Sequence, residues 1–137
     1  MFKLIKILNT GVNVPEIEKF PCDPTVPLDV GSCVIYDPTC GMITPGSEAD
    51  PPTHVLARAI NEGDSFALCY RVSSEMIFEA PIIGDPSSVF PGMSVGLAVE
   101  SGHGVYAVTD VEEGPAMIYS LEGAKSSGDK VLVAFNV

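Results

Sequence analysis

The sequence has no tryptophan, few positive charges, and no apolar stretch approaching the ~20 residues that a membrane helix needs. Each shortage narrows the field. Without a long apolar run, the chain reads as a soluble protein. Seven Lys and Arg against eighteen Asp and Glu leave a net charge of -11, which repels a phosphate backbone and argues against nucleic acid as a partner. The acidity fits two roles: keeping a small protein in solution, or selecting a partner with a basic surface. Catalytic signatures are also missing, for there is no Gly-x-Ser-x-Gly elbow, no phosphate-cradling loop and no His-Glu-x-x-His. Of the two histidines, His54 follows a proline-rich loop and His103 lies between two glycines, places that suit exposed turn residues rather than general bases.

Room for helices is short as well. Twelve Pro and thirteen Gly interrupt the chain throughout, and in a helix interior each Pro costs ~3 kcal/mol and each Gly ~1. An all-β fold follows. At 137 residues the chain is long enough for one core and short for two. The organisation expected is an N-terminal arm and connection over residues 1–25 and a single β domain over 26–137.

What the sequence does contain is a repeat. Gly63-Asp64-Ser65-Phe66-Ala67-Leu68-Cys69-Tyr70-Arg71-Val72 returns as Gly128-Asp129-Lys130-Val131-Leu132-Val133-Ala134-Phe135-Asn136-Val137. Val30 to Tyr36 aligns with Pro91 to Leu97, and Gly41 answers Gly104. Each half thus shows a glycine turn, an apolar strand, a second turn, a strand of mixed polarity, a Gly-Asp turn and a last apolar strand, the punctuation of a β meander. The half-repeats are placed at about 26–84 and 85–137, with Gly84 to Ser88 as the link and one core shared between them. At both Gly-Asp turns the glycine is expected at positive φ, with Asp64 and Asp129 bonding local backbone rather than a metal. Glu112 and Glu113 read as a solvated pair.

Between the landmarks, Asn9 to Pro27 reads as a wandering connection, with one helical turn over Glu16 to Phe20 and Val14, Ile17 and Phe20 as anchors. His54 to Ile60 is taken as a strand because its counterpart, Met117 to Leu121, favours β structure. Met76 to Ile82 is taken as a strand that Pro81 closes, and Ser101 to Gly104 as a tight turn.

Cys22, Cys33, Cys40 and Cys69 include no Cys-x-x-Cys pair. Two readings stay open: reduced, partly buried thiols, or a disulfide or metal site involving His54. Cys69 with His54 as base is imaginable as a nucleophile, but Leu68 and Tyr70 favour inert burial. No catalytic residue, cofactor or metal is expected.

Met1 to Leu8 has a short apolar run broken by Lys6 and no small-residue cleavage site, so it does not read as a signal peptide and the product is expected in the cytoplasm. Phe2, Leu4 and Ile7 fall apart from Lys3 and Lys6, as in an extended strand. It is either a free arm that adds a strand to a partner or the first strand of the domain's own sheet.

Together, Val30 to Tyr36 with Gly41, the two Gly-Asp strands, and Met76-Ile77-Phe78-Glu79-Ala80-Pro81-Ile82 make residues 26–137 resemble the small capsid decoration, or cement, proteins of tailed bacteriophages. The resemblance implies a compact β-barrel or β-tulip domain on the capsid exterior of a virion, often a homotrimer at threefold positions, bound to the major capsid protein and stabilising the shell by bridging subunits. It carries over no catalytic residue and does not reach the segment before residue 26; in such a role the candidate capsid contact is that arm, Phe2, Lys3, Leu4, Ile5, Lys6 and Ile7, whose apolar members suit an added strand on a capsid sheet edge and whose lysines suit acidic groups. The competing readings are a phage tail or fibre component and a cellular barrel for a small ligand.

Overall fold

The structure, a computed structural model, describes residues 1–8, 15–100 and 103–137. Among them it is all β. Eleven strands form one continuous hydrogen-bonded system: β1 (Lys3–Ile7), β2 (Glu18–Pro21), β3 (Cys33–Asp37), β4 (Met42–Pro45), β5 (His54–Leu56), β6 (Phe66–Arg71), β7 (Met76–Ile83), β8 (Ser94–Glu100), β9 (Gly104–Glu112), β10 (Ala116–Ser120) and β11 (Lys130–Phe135). The only helical piece described is a single 3-10 turn, Pro86–Ser88, capped by the Asp85 side chain.

Strands β7, β11, β10, β8 and β9 close into a barrel. All neighbours are antiparallel except at the seam, where Ile82 and Ile83 of β7 pair in parallel with Val108 and Thr109 of β9. The alternation written in the sequence puts Phe78, Ala80 and Ile82 of β7 inside, with Val95 and Leu97 of β8, Ile118 of β10, and Val131, Val133 and Phe135 of β11. Full burial of such side chains stabilises by roughly 1.5–3 kcal/mol apiece. Phe78 and Phe135 meet with ring centroids 5.3 Å apart, and Tyr70 from the first half stacks on Phe78 at 6.3 Å.

The first half repeats this order. The barrel runs β9-β8-β10-β11-β7, and the preceding strands run β4-β3-β5-β6-β2 with the same antiparallel senses. Where the barrel has its parallel seam, the first half has a single parallel bridge between Cys22 and Ile43. The Gly-Asp turns match too. Gly63 and Gly128 take φ of 92° and 94°. Asp64 accepts a hydrogen bond from the Asn61 N–H at 2.9 Å, and Asp129 accepts from the N–H groups of Lys125 and Ser126 at 2.9 and 3.0 Å.

Several expectations need correction. Pairing draws the repeat boundary between β6 and β7 rather than near residue 85, and the first unit begins at β2, inside the stretch read as a connection. Glu18 to Phe20 is strand, not helix, because its backbone groups pair with β6 from Cys69 to Ala67. The halves share the larger core, to which the first half gives Cys33, Val55, Tyr70 and Val72, but that core is not the whole interior. Cys22, Leu28, Val34, Ile43, Leu56, Ile60, Ala67 and Cys69 form a second, smaller cluster confined to the first half.

Pro81 does not end β7. It falls between Glu79, which pairs with β1, and Ile82, which pairs with β9, while the Ile82 N–H donates to Asp129 on the β11 side. The donor that proline lacks therefore faces a gap in the ladder. His54 to Leu56 is strand as expected, although it is shorter than the stretch proposed. Val14 and the Ser101-Gly102 part of the expected turn lie outside the described residues.

Candidate functional site

Five of the six proposed contact residues make up β1, a strand of the domain's own sheet, and Phe2 directly precedes it. The strand pairs antiparallel with β7, with Lys3 opposite Glu79 and Leu4 opposite Phe78, and then Lys6 opposite Ile77 and Ile7 opposite Met76. Ile5 is the extra residue of a bulge, which re-aims a side chain outward. Burial sorts the six. Phe2 is 1% exposed, its N–H donates to Gly31 O at 3.0 Å, and its ring lies 5.2 Å from Phe135 and 6.3 Å from Phe78. Phe2 is a core residue and is withdrawn as a surface contact. Leu4 and Ile7 are half-buried against the same core. Lys3, Ile5 and Lys6 are exposed, with the Lys6 ammonium 5.1 Å from the Tyr119 ring centroid.

β1 stands at one end of the strand path, and no described strand pairs with its outer edge. Beside it is a mainly apolar hollow of about 290 Å³, floored by Leu56 and Tyr70 and rimmed by the exposed side chains of Met1, Ile17 and Val30. The barrel interior, by contrast, is filled by its own side chains.

The second feature is a buried histidine. His54 is 2% exposed, contrary to its reading as an exposed turn residue, because β5 runs between β3 and β6 and the Phe20 ring packs edge-on at 5.1 Å. Thr53 Oγ1 accepts the Tyr36 N–H at 2.7 Å and lies 2.9 Å from His54 Nδ1. The hydroxyl, with one proton and two lone pairs, can serve Nδ1 of either neutral tautomer while it holds the Tyr36 N–H. Nε2 lies 3.4 Å from Glu18 Oε1 but out of line for a hydrogen bond, and Glu18 also faces the Arg71 guanidinium at 3.7 Å. Burial lowers the His54 pKa, and the Glu18 carboxylate opposes that shift. His103 is the contrary case, half exposed and bonded to Asp29, whose hydrogen bond and charge raise its pKa.

Cys22, Cys33 and Cys69 are buried, Cys40 is exposed, and all four are free thiols. Cys69 is wholly buried, and burial, aided by the charge on Glu18, pushes its pKa up to about 12. Burial likewise raises Cys22 and Cys33. Thiols held protonated in this way are poor nucleophiles and poor ligands. Among the described residues, no three His, Cys, Asp or Glu converge to hold a metal ion.

Glu18 and its neighbours on β2 escaped the sequence reading. The signal was there: Glu18 and Phe20 turn one way and Lys19 and Pro21 the other, with burial alternating residue by residue. Comparison of the chain with protein families, with curated proteins and with solved structures found no match.

Proposed function

We propose that this chain is a structural virion protein that decorates the exterior of a phage capsid, binding the major capsid protein and stabilising the shell by bridging its subunits. The observation that carries this reading is β1. Its outer edge has no described partner, and it presents Lys3, bulged Ile5 and Lys6 in a chain whose net charge is -11. An edge of this kind takes an added strand from a partner, with backbone hydrogen bonds for affinity and side-chain contacts for selectivity. The apolar hollow next to it, rimmed by Met1, Ile17 and Val30, extends the surface to be buried.

A small domain held rigid by two packed cores suits such a role. Its binding free energy favours whichever lattice it spans, and each copy adds a modest increment that the shell multiplies. A homotrimer at threefold positions belongs to the same proposal and rests on the resemblance to cement proteins. The test is to add purified protein to capsid shells assembled without it. Ile5→Asp and the charge reversals Lys3→Glu and Lys6→Glu should abolish sedimentation with shells while leaving the fold unchanged. Binding that ignores all three would reject β1 as the contact.

A further inference from the structure

A second surface lies on the first unit. On the outer face of β2 and β6, with the turn after β5 as its wall, is an open hollow of about 390 Å³ lined by Lys19, Arg58, Phe66, Leu68 and the Gly63 to Ser65 turn. Phe66 is 52% exposed, and the Lys19 ammonium stands 4.5 Å from its ring centroid. Cations are scarce in this protein, and two of its seven stand at this hollow. Arg71 and Lys130 are engaged by Glu18 and Glu79, whereas among the described residues neither Lys19 nor Arg58 makes an ion pair. One carboxylate, Asp64, also lines the hollow, but its Oδ2 is taken up by the Asn61 N–H.

We infer that this hollow binds the carboxylate side chains of an acidic partner segment, with Lys19 and Arg58 as charge partners and Phe66 as the apolar contact. A guanidinium meets a carboxylate through two parallel N–H donors, and an exposed aromatic beside it supplies the area that a lone surface ion pair lacks. The unpaired cations select acids over bases within a surface that otherwise repels them. The site is separate from β1 and does not depend on the capsid reading.

The experiment is fluorescence anisotropy of a short labelled oligo-glutamate peptide titrated with the full chain at low ionic strength, followed by amide chemical-shift mapping of the same mixture. Saturable binding is expected, weakened about fivefold or more by Lys19→Glu or Arg58→Glu, and left unchanged by Lys125→Glu, which alters net charge equally at another exposed position. In the unmodified protein the shifts should gather at Lys19, Arg58, Gly63, Ser65 and Phe66. Absence of saturable binding, equal loss from Lys125→Glu, shifts centred elsewhere, or an oligothymidylate binding as tightly as the peptide would each overturn the inference.

Discussion

His54 Nε2 lies 3.4 Å from Glu18 Oε1, a contact that ties together β5 and β2, the two strands that flank β6. The strand that carries Glu18 is only four residues long and is held by β6 on one side and the lone Cys22–Ile43 bridge near its end. A buried imidazole at this junction makes the first unit sensitive to pH.

The folded state lowers the His54 pKa, chiefly through burial. It therefore binds fewer protons than the unfolded chain, whose histidine titrates at about 6.5. Stability from this residue is complete above that value and falls as the pH drops below it. Urea denaturation at pH 8 and pH 5 should show the loss, and His54→Gln should flatten that part of the pH dependence.

His103 should behave in the opposite sense. Asp29 raises its pKa, so its small, solvent-screened contribution is present below about 6.5 and fades as the pH rises through the folded value. In a proton NMR titration the two imidazoles should bracket the free value, His54 below and His103 above. Coincident curves would contradict both environments.

The two Gly-Asp turns offer a matched pair of substitutions. A Cβ built at Gly63 or Gly128 meets nothing within 4 Å, so alanine pays for its backbone angle alone. Gly63→Ala and Gly128→Ala should each destabilise by about 1–2 kcal/mol, and by similar amounts, as read by thermal or chemical denaturation. A neutral result at either would break the equivalence of the turns.

Much of this architecture was legible from local chemistry. Glycine before aspartate at residues 63 and 128, and the apolar alternation after each, sufficed to place β6 and β11 and to suggest duplication. Long-range pairing was not legible. Nothing in Met76 to Ile83 says that β7 joins the strands after it, and nothing in Glu18 to Phe20 marks a strand except a four-residue alternation among prolines. Phe2 shows the same limit for the candidate contact. Its spacing matched that of Leu4 and Ile7, but only the aromatic cluster with Phe78 and Phe135 reveals how deeply it is held.

That cluster also fixes the effect of truncation. Removing residues 1–8 exposes Phe78 and Phe135 and strips β1 from β7, so the shortened chain should unfold rather than persist as an armless domain. Phe2→Ala, by analogy with other buried aromatics, should cost about 3–5 kcal/mol, measured by chemical denaturation. A truncated protein with unchanged stability would show that β1 is dispensable to the sheet.

Binding to empty capsid shells is the most direct measurement of the proposed role. Purified protein, added to shells assembled without it, should co-sediment to saturation and raise the temperature at which the shells rupture, while Ile5→Asp, still folded, should do neither. Failure of the unmodified protein to bind, or binding with no gain in heat resistance, would contradict a cementing function.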